Sequence, residues 1–255
     1  MPKDVAHALT HEEKIRYDRQ LVLPEIGETG QMHLKKSTVM IAGLGGLGSI
    51  SAYYLTAAGV GKLKIVDMDR VADHNLNRQI LHTTNDIGSR KTDSALSKLT
   101  ALNPLCRIET VSAPIDEHTM AQMAAGCDLI IDGTDNIETR KIIHREAFKK
   151  GIPFIFGGVE GFDGMVATFI PGRSACLECI FPGPAPSAPR TTGVIGPAAG
   201  VVASLQSMEA LKMLVGRASE LSGWLMYFHG NGMRVKKIKI DRNPACRLCG
   251  VHRTD

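Results

Sequence analysis

The spacing of apolar positions changes along the chain, and the changes mark elements. Residues 39–42 form a short apolar run that reads as a strand. Residues 46–58 carry helical spacing and close on Gly59. "KLKIVDMD" (62–69) is a second strand, 90–102 a helix stopping before Asn103-Pro104, and "RIETVSA" (107–113) a third strand. A helix is predicted over 117–125, and "CDLIIDGTDN" (127–136) is a strand running into a polar loop. The helix at 138–149 has Gly151 just beyond it, and "IPFIFGG" (152–158) is again a strand. This β-α-β rhythm predicts an α/β fold with a Rossmann-like, doubly wound, mainly parallel sheet.

From about Val159 the rhythm breaks. "DGMVATFIP" is a strand with a turn before it, and "FPGPAPSAPRTTG" (181–193) is a Pro-rich loop. Residues 197–215 make a long helix that is apolar most of the way round, so it must be buried somewhere. "WLMYFHGNGMRVKKIKI" (224–240) is a hairpin. No linker or repeat divides the chain, so 1–255 is expected to be one domain. Its parts are an N-terminal arm with helices (1–36), a nucleotide-binding core (37–158) and an elaborated C-terminal region (159–255).

Composition narrows the class. Hydrophobic residues are 44% and charged residues 22%, as in an ordinary globular protein. The net charge of +4 comes without a block of five like charges, so no nucleic-acid partner is expected. No apolar run reaches the ~18 residues of a membrane span. The N-terminus lacks the apolar core of a signal peptide. The expectation is a cytoplasmic protein with no membrane partner.

Four of the six cysteines form two C-x-x-C pairs, Cys176/Cys179 and Cys246/Cys249. Two such pairs complete a tetrahedral zinc site, and four thiolates leave no open position, so the zinc would be structural. Redox dithiols or disulfides are the alternatives. They are less favoured because neither pair opens a helix of a thioredoxin-like unit and a cytosolic chain is kept reduced. Cys106 and Cys127 sit in apolar, strand-like runs and read as core residues.

"GLGGLGS" follows the first strand. Gly43, Gly45 and Gly48 fit G-x-G-x-x-G, with Gly46 inside the loop and Asp67 at the end of the next strand. The glycines permit close backbone approach, the helix N-terminus faces phosphate, and the acid accepts ribose hydroxyls. NAD, FAD and ATP all suit this. Arg78, Lys91 and Asp135 lie near the carboxyl ends of the strands, where ligands of such sheets bind. Two cations suit a triphosphate and a carboxylate suits Mg2+, which favours ATP over a nicotinamide.

The ordered motifs "RYDRQ", "GLGGLGS", "DMDRVADHNLNRQ", "GSRKTDSA", "DGTDN", "CLEC…CRLC" and "GPAAGVVASLQSMEALKML" closely resemble the MoeB/ThiF/HesA family of ubiquitin-activating-like adenylyltransferases. The resemblance runs from about Arg16 to Gly250. It implies an enzyme, an ATP- and Mg2+-dependent nucleotidyltransferase. The enzyme would adenylate the C-terminal glycine of a small ubiquitin-like sulfur-carrier protein ending in Gly-Gly. It also implies a homodimer and a structural zinc. Asp67 matches the ribose ligand, Gly46 the nucleotide-loop glycine, Lys91 the phosphate-binding lysine and Asp135 the metal-linked aspartate. Asn75, Arg78 and Gln79 match the loop around the phosphates, and Asp69 and Asn136 extend the nucleotide-binding set. Arg19 matches an arginine that reaches into the neighbouring subunit's site. The C-terminal region is then the carrier-binding part, with the crossover loop and the zinc.

The chemistry of the implied reaction needs alignment and charge neutralisation by Arg19, Arg78, Lys91 and Mg2+. It needs no general base, because the carrier carboxylate is already ionised. His74, His82 and His229 are therefore read as surface or core residues. One position departs from the family pattern. Several members have a cysteine four residues before the glycine that here is Gly193, and this chain has Pro189. The expectation is adenylation without a covalent enzyme–carrier intermediate. With no rhodanese segment expected after Asp255, sulfur would come from a separate donor. An enzyme for a peptide or other carboxylate, and a non-catalytic nucleotide-binding scaffold, are the rival readings.

Overall fold

Glycine placement and strand burial set the architecture. The structure, a computed structural model, describes residues 8–184 and 192–250. Three helices lead in: α1 (His11–Arg16), α2 (Asp18–Leu21) and α3 (Gly27–Lys36). Thr10 and Glu13 close a capping box on α1. Strand β1 (Thr38–Ala42) is buried from Val39 onward, as expected of a central parallel strand covered on both faces. Helix α4 (Gly46–Ala57) and β2 (Lys62–Val66) complete the first unit, and α5 (Lys91–Leu102) and β3 (Arg107–Val111) the second. Next come α6 (Met120–Met123), β4 (Leu129–Asp132), α7 (Ile137–Lys149) and β5 (Phe154–Glu160). The C-terminal region holds β6 (Asp163–Phe169), α8 (Leu177–Ile180), α9 (Gly196–Leu214), β7 (Trp224–His229) and β8 (Arg234–Lys239).

Among the described residues the strands form one sheet in the order β3-β2-β1-β4-β5-β6-β7-β8. Strands β1 to β5 run parallel, and β6, β7 and β8 are added antiparallel. The chain therefore winds outward in one direction from β1 and in the other from β4. The crevice between the ends of β1 and β4 is the switch point of the sheet, where ligands of this architecture bind. β3 and β8 are the edges, and the lysines of β8 discourage pairing with another sheet.

The pleat sends alternate residues of β1 to two cores. Val39 and Ile41 join Leu47, Leu55, Leu99, Val202 and Ala203 on the face covered by α4, α5 and α9. Met40 and Ala42 join Met120, Ile143, Phe154 and Leu177 on the face covered by α6, α7 and α8. Helix α9 buries Ala199, Val202, Ala203 and Ala210, while Val201 and Met208 remain exposed. Its apolar circumference is thus only partly used within the chain.

Two local expectations are corrected. The helix predicted over 117–125 is the single turn α6, because the Asp116 side chain accepts from the His118 and Thr119 amides and holds a turn there. The second strand stops at Val66, one residue before Asp67, whose carboxylate is engaged elsewhere. Among the described residues no helix is long and apolar enough to cross a membrane.

Candidate active site

The loop between β1 and α4 is forced into place by its glycines. Gly43 has φ +90°, and a Cβ there would sit 2.7 Å from the Gly133 carbonyl oxygen. A Cβ on Gly48 would lie 1.8 Å from the Gly43 carbonyl oxygen. The loop after β1 and the loop after β4 therefore pack backbone to backbone across the switch point. α4 starts at Gly46 with Gly45 as N-cap and no side-chain cap, so its leading N–H groups are left for an anion. A Cβ on Gly45 would meet only ordinary contacts, at 3.7 Å or more.

Asp67 braces this loop from below. One carboxylate oxygen accepts from the Leu44 amide at 2.7 Å and the other from the Asp69 amide at 2.8 Å. Burial raises the Asp67 carboxyl above the usual range, against the pull of Lys91 and of those two amides. Lys91 opens α5 and is buried. Its ammonium lies 3.9 Å from Asp67 and 2.9 Å from Asp69, which is more exposed. Asp67, Asp69 and Lys91 are thus brought together at one side of the glycine loop.

The segment after β2 supplies the other wall. Asn75 is buried and its side chain accepts from the Ala72 amide, closing a short 3-10 turn at Asp73–Asn75. Arg78 packs its stem toward Gly46, whose Cβ position is 3.6 Å from the arginine Cγ. Its guanidinium donates to the His74 carbonyl and to Asn77. Gln79 is buried beside Gly45, and its carbonyl oxygen has no hydrogen-bond partner among the described residues. Across the crevice, Asp135 is exposed in the loop after β4 and meets Asn136 at 3.4 Å. Asn136 serves as the N-cap of α7, accepting from the Thr139 amide.

The cysteine pairs meet beside Phe148, near the C-terminal end of α7. The four sulfurs of Cys176, Cys179, Cys246 and Cys249 all lie within 4.8 Å of one another. Separations of 3.5 Å for Cys176–Cys246 and 3.4 Å for Cys179–Cys249 are close to the ~3.8 Å that four ~2.3 Å zinc–sulfur bonds require. The cluster fits a closed zinc site that ties the C-terminal tail to the segment after β6. Cys176 is the N-cap of the single-turn α8. The buried His144 steadies that turn by accepting from the Leu177 amide. Cys106 and Cys127 are both buried, and burial pushes the Cys106 thiol up to about 11.

The ThiF family model matches residues 17–248. The chain belongs to the ThiF family. The sulfur carrier protein adenylyltransferase of Thermus thermophilus is 40% identical over 250 residues, covering 94% of this chain and 92% of that protein. The SAMP-activating enzyme E1 of Haloferax volcanii is 36% identical over 240 residues, covering 92% and 88%. The adenylyltransferase and sulfurtransferase MOCS3 of Drosophila sechellia is 38% identical, and the match spans 95% of this chain but 55% of that protein. Among solved structures, PaaA superposes with a TM-score of 0.80 at 24% identity, covering 95% of this chain and 79% of that one. E. coli MccB, solved with MccA-N7isoASN, gives 0.83 at 19% identity, covering 92% and 74%. At these identities the two structures share the fold.

Arg19 is not brought to the glycine loop of its own chain. Arg19 is 96% exposed, with Asp18 at 4.0 Å. Its neighbour Gln20 donates to the Ala58 carbonyl, which places α2 at the C-terminal end of α4. The glycine loop is at the other end of that helix, ~18 Å away for twelve residues. Pro189 lies outside the described residues.

Sequence reasoning passed over the groups that fasten the loop carrying Asp135. Asp132, the last residue of β4, is fully buried and pairs with Arg140 on α7 at 2.6 Å. The Gln206 amide of α9 donates to the carbonyls of Asp132 and Ile155. The available signal was an acid closing an otherwise apolar strand, "LIID", with an arginine one turn into the next helix.

Proposed function

We propose that this chain is an ATP-dependent adenylyltransferase that activates the C-terminal glycine of a small ubiquitin-like sulfur-carrier protein. The observation that carries the reading is the pairing of Lys91 with Asp67 at a glycine loop whose helix N-terminus is uncapped. Asp135 stands across the same switch point. This set holds a nucleotide by its ribose and phosphates and leaves a carboxylate free for a cation.

The carrier carboxylate oxygen bonds to the α-phosphorus of ATP. The bond from that phosphorus to the bridging oxygen breaks, and pyrophosphate leaves. The α4 amides and Lys91 stabilise phosphate charge, Arg78 turns from the His74 carbonyl toward the phosphates, and Asp67 orients the ribose. Asp69, Asn75, Gln79 and Asn136 hold the walls of the site in register. Asp135 would hold Mg2+, which when bound supplies charge neutralisation on the phosphates. The four paired cysteines would hold a structural zinc.

Two copies complete each other. Arg19 is placed away from its own glycine loop, and exposed Val201 and Met208 on α9 offer apolar surface to a second copy. The whole of 1–255 acts as one adenylation domain in the cytoplasm, with 159–255 receiving the carrier. With Pro189 in the crossover loop and Cys106 and Cys127 buried, the product is the free acyl-adenylate. A separate sulfur donor then takes it.

The test is ATP–pyrophosphate exchange with a carrier ending in Gly-Gly from the same genome. Exchange is expected with that carrier and is lost when its last glycine is deleted. Mixed Arg19→Ala and Asp135→Ala subunits should regain part of the activity that each lacks alone. Tight NAD binding without ATP binding, or exchange driven by a free peptide and not by the carrier, would replace the reading.

A further inference from the structure

The loop that carries Asp135 is fastened by groups that touch no ligand. Asp132 Oδ1 accepts from the Thr134 amide at 3.0 Å and from its hydroxyl at 2.7 Å. Asp132 Oδ2 faces Arg140 Nε at 2.6 Å. The Arg140 fork then donates from one Nη to the Thr134 carbonyl at 2.6 Å and to the Gly157 carbonyl at 3.0 Å. The guanidinium lies over the Phe156 ring, 4.8 Å from its centroid. One buried ion pair thus grips both ends of residue Thr134, and the peptide bond leading to Asp135 starts from the carbonyl it holds.

The same loop is pinned on its other side. The Gly133 amide donates to the Ala42 carbonyl, and Gly133 packs against Gly43 so closely that neither tolerates a Cβ. Asp135 is therefore held at a set distance from the glycine loop, although its own carboxylate makes one long contact. A buried ion pair is rarely the most stable filling for such a space, since apolar replacements are often neutral or better. Arg140 does what an apolar residue cannot: it donates to two carbonyls, one on the Asp135 loop and one on β5.

We infer that Asp132 and Arg140 are positioning residues, which hold the Thr134–Asp135 peptide so that Asp135 and the glycine loop share one cation–phosphate group. The inference rests on the assignment of Asp135 as the metal-linked acid. Positioning of that acid affects binding of ATP with its cation and leaves binding of bare ATP nearly untouched. A brace for the fold alone would change both equally.

Calorimetric titration of the full chain with ATP, in Mg2+ and in EDTA, separates these, with Asp135→Asn as the reference. Arg140→Met is expected to weaken ATP binding at least tenfold in Mg2+ and less than twofold in EDTA. The double variant Asp132→Asn/Arg140→Met removes both buried charges, keeps an acceptor for the Thr134 amide, and should fold and show the same split. Equal weakening in both buffers, no weakening in either, or failure of the double variant to fold overturns the positioning role while Asp135→Asn still shows its split. Loss of the split in Asp135→Asn itself overturns the metal assignment first, and the positioning role with it.

Discussion

The Lys91 ammonium lies 3.9 Å from the Asp67 carboxylate, and both side chains are almost wholly buried beside the glycine loop. Removing the lysine strands a buried carboxylate. Lys91→Met is expected to lower the unfolding free energy by about 2 kcal/mol, less than for a fully enclosed pair because Asp69 is open to water. It should also weaken ATP binding at least tenfold. Adding Asp67→Asn removes the stranded charge but turns an NH2 toward either the Leu44 or the Asp69 amide, so it should return only part of the stability and none of the affinity. Denaturant titration and calorimetry on the two variants read these separately.

Two glycines four residues or fewer from each other should behave oppositely. Gly48→Ala places a Cβ 1.8 Å from the Gly43 carbonyl oxygen, so backbone must move. A loss of about 3 kcal/mol and of ATP binding is expected. Gly45→Ala meets nothing closer than 3.7 Å. Its stability should stay within about 1 kcal/mol of the parent, while the methyl group on the phosphate side weakens ATP binding. Thermal melts with and without ATP distinguish the two.

His82 should make stability depend on pH. Burial holds its pKa down at about 4, with Lys98 and Lys91 adding to this and the Leu44 backbone and Asp86 opposing it. Ser94 meets its Nδ1 at 2.9 Å. Its ordinary value is near 6.5, so between about 6.5 and 4 the unfolded chain binds the proton and the folded chain does not. Stability is therefore full above that window and falls as pH falls through it. From pH 7 to pH 5 the loss from this one group is about 2 kcal/mol. His82→Gln should remove that part of the slope, measured by urea titration at the two pH values. An unchanged slope would contradict the assignment.

The sulfur cluster should carry one zinc ion per chain, read by elemental analysis of the purified protein. Chelation, or Cys249→Ser, is expected to lower the melting midpoint by several degrees or more, because metal binding is folding free energy for the segment it ties down. Re-addition of zinc should restore the midpoint of the chelated protein. A metal-free chain with an unchanged midpoint would argue against the site.

Much of this was legible from local pattern. Central parallel strands such as "VMIA" and "LIID" are buried on both faces and read as short apolar runs. Gly59, Gly151 and Asn103-Pro104 end helices by backbone chemistry that acts within a few residues. The glycine loop, Asp67 and the cysteine pairs announce themselves because their spacing along the chain is also their geometry in space. Where a local competitor lay nearby, the pattern misled: Asp116 holds His118 and Thr119 in a turn, and of residues 117–125 only Met120–Met123 is helical.

The strand order was out of reach of that reasoning, because it is settled by which faces bury each other across the whole chain. That order brings Gly133 against Gly43 and so sets Asp135 across from the uncapped N-terminus of α4. The packing of α2 on Ala58 likewise sets Arg19 at the end of α4 away from the glycine loop, which no spacing along the chain reveals. The Asp132–Arg140 pair was hidden for a related reason. An acid at a strand end and an arginine on the next helix are unremarkable apart, and acquire a role only when the sheet closes over them and pairs the two charges at a largely buried site.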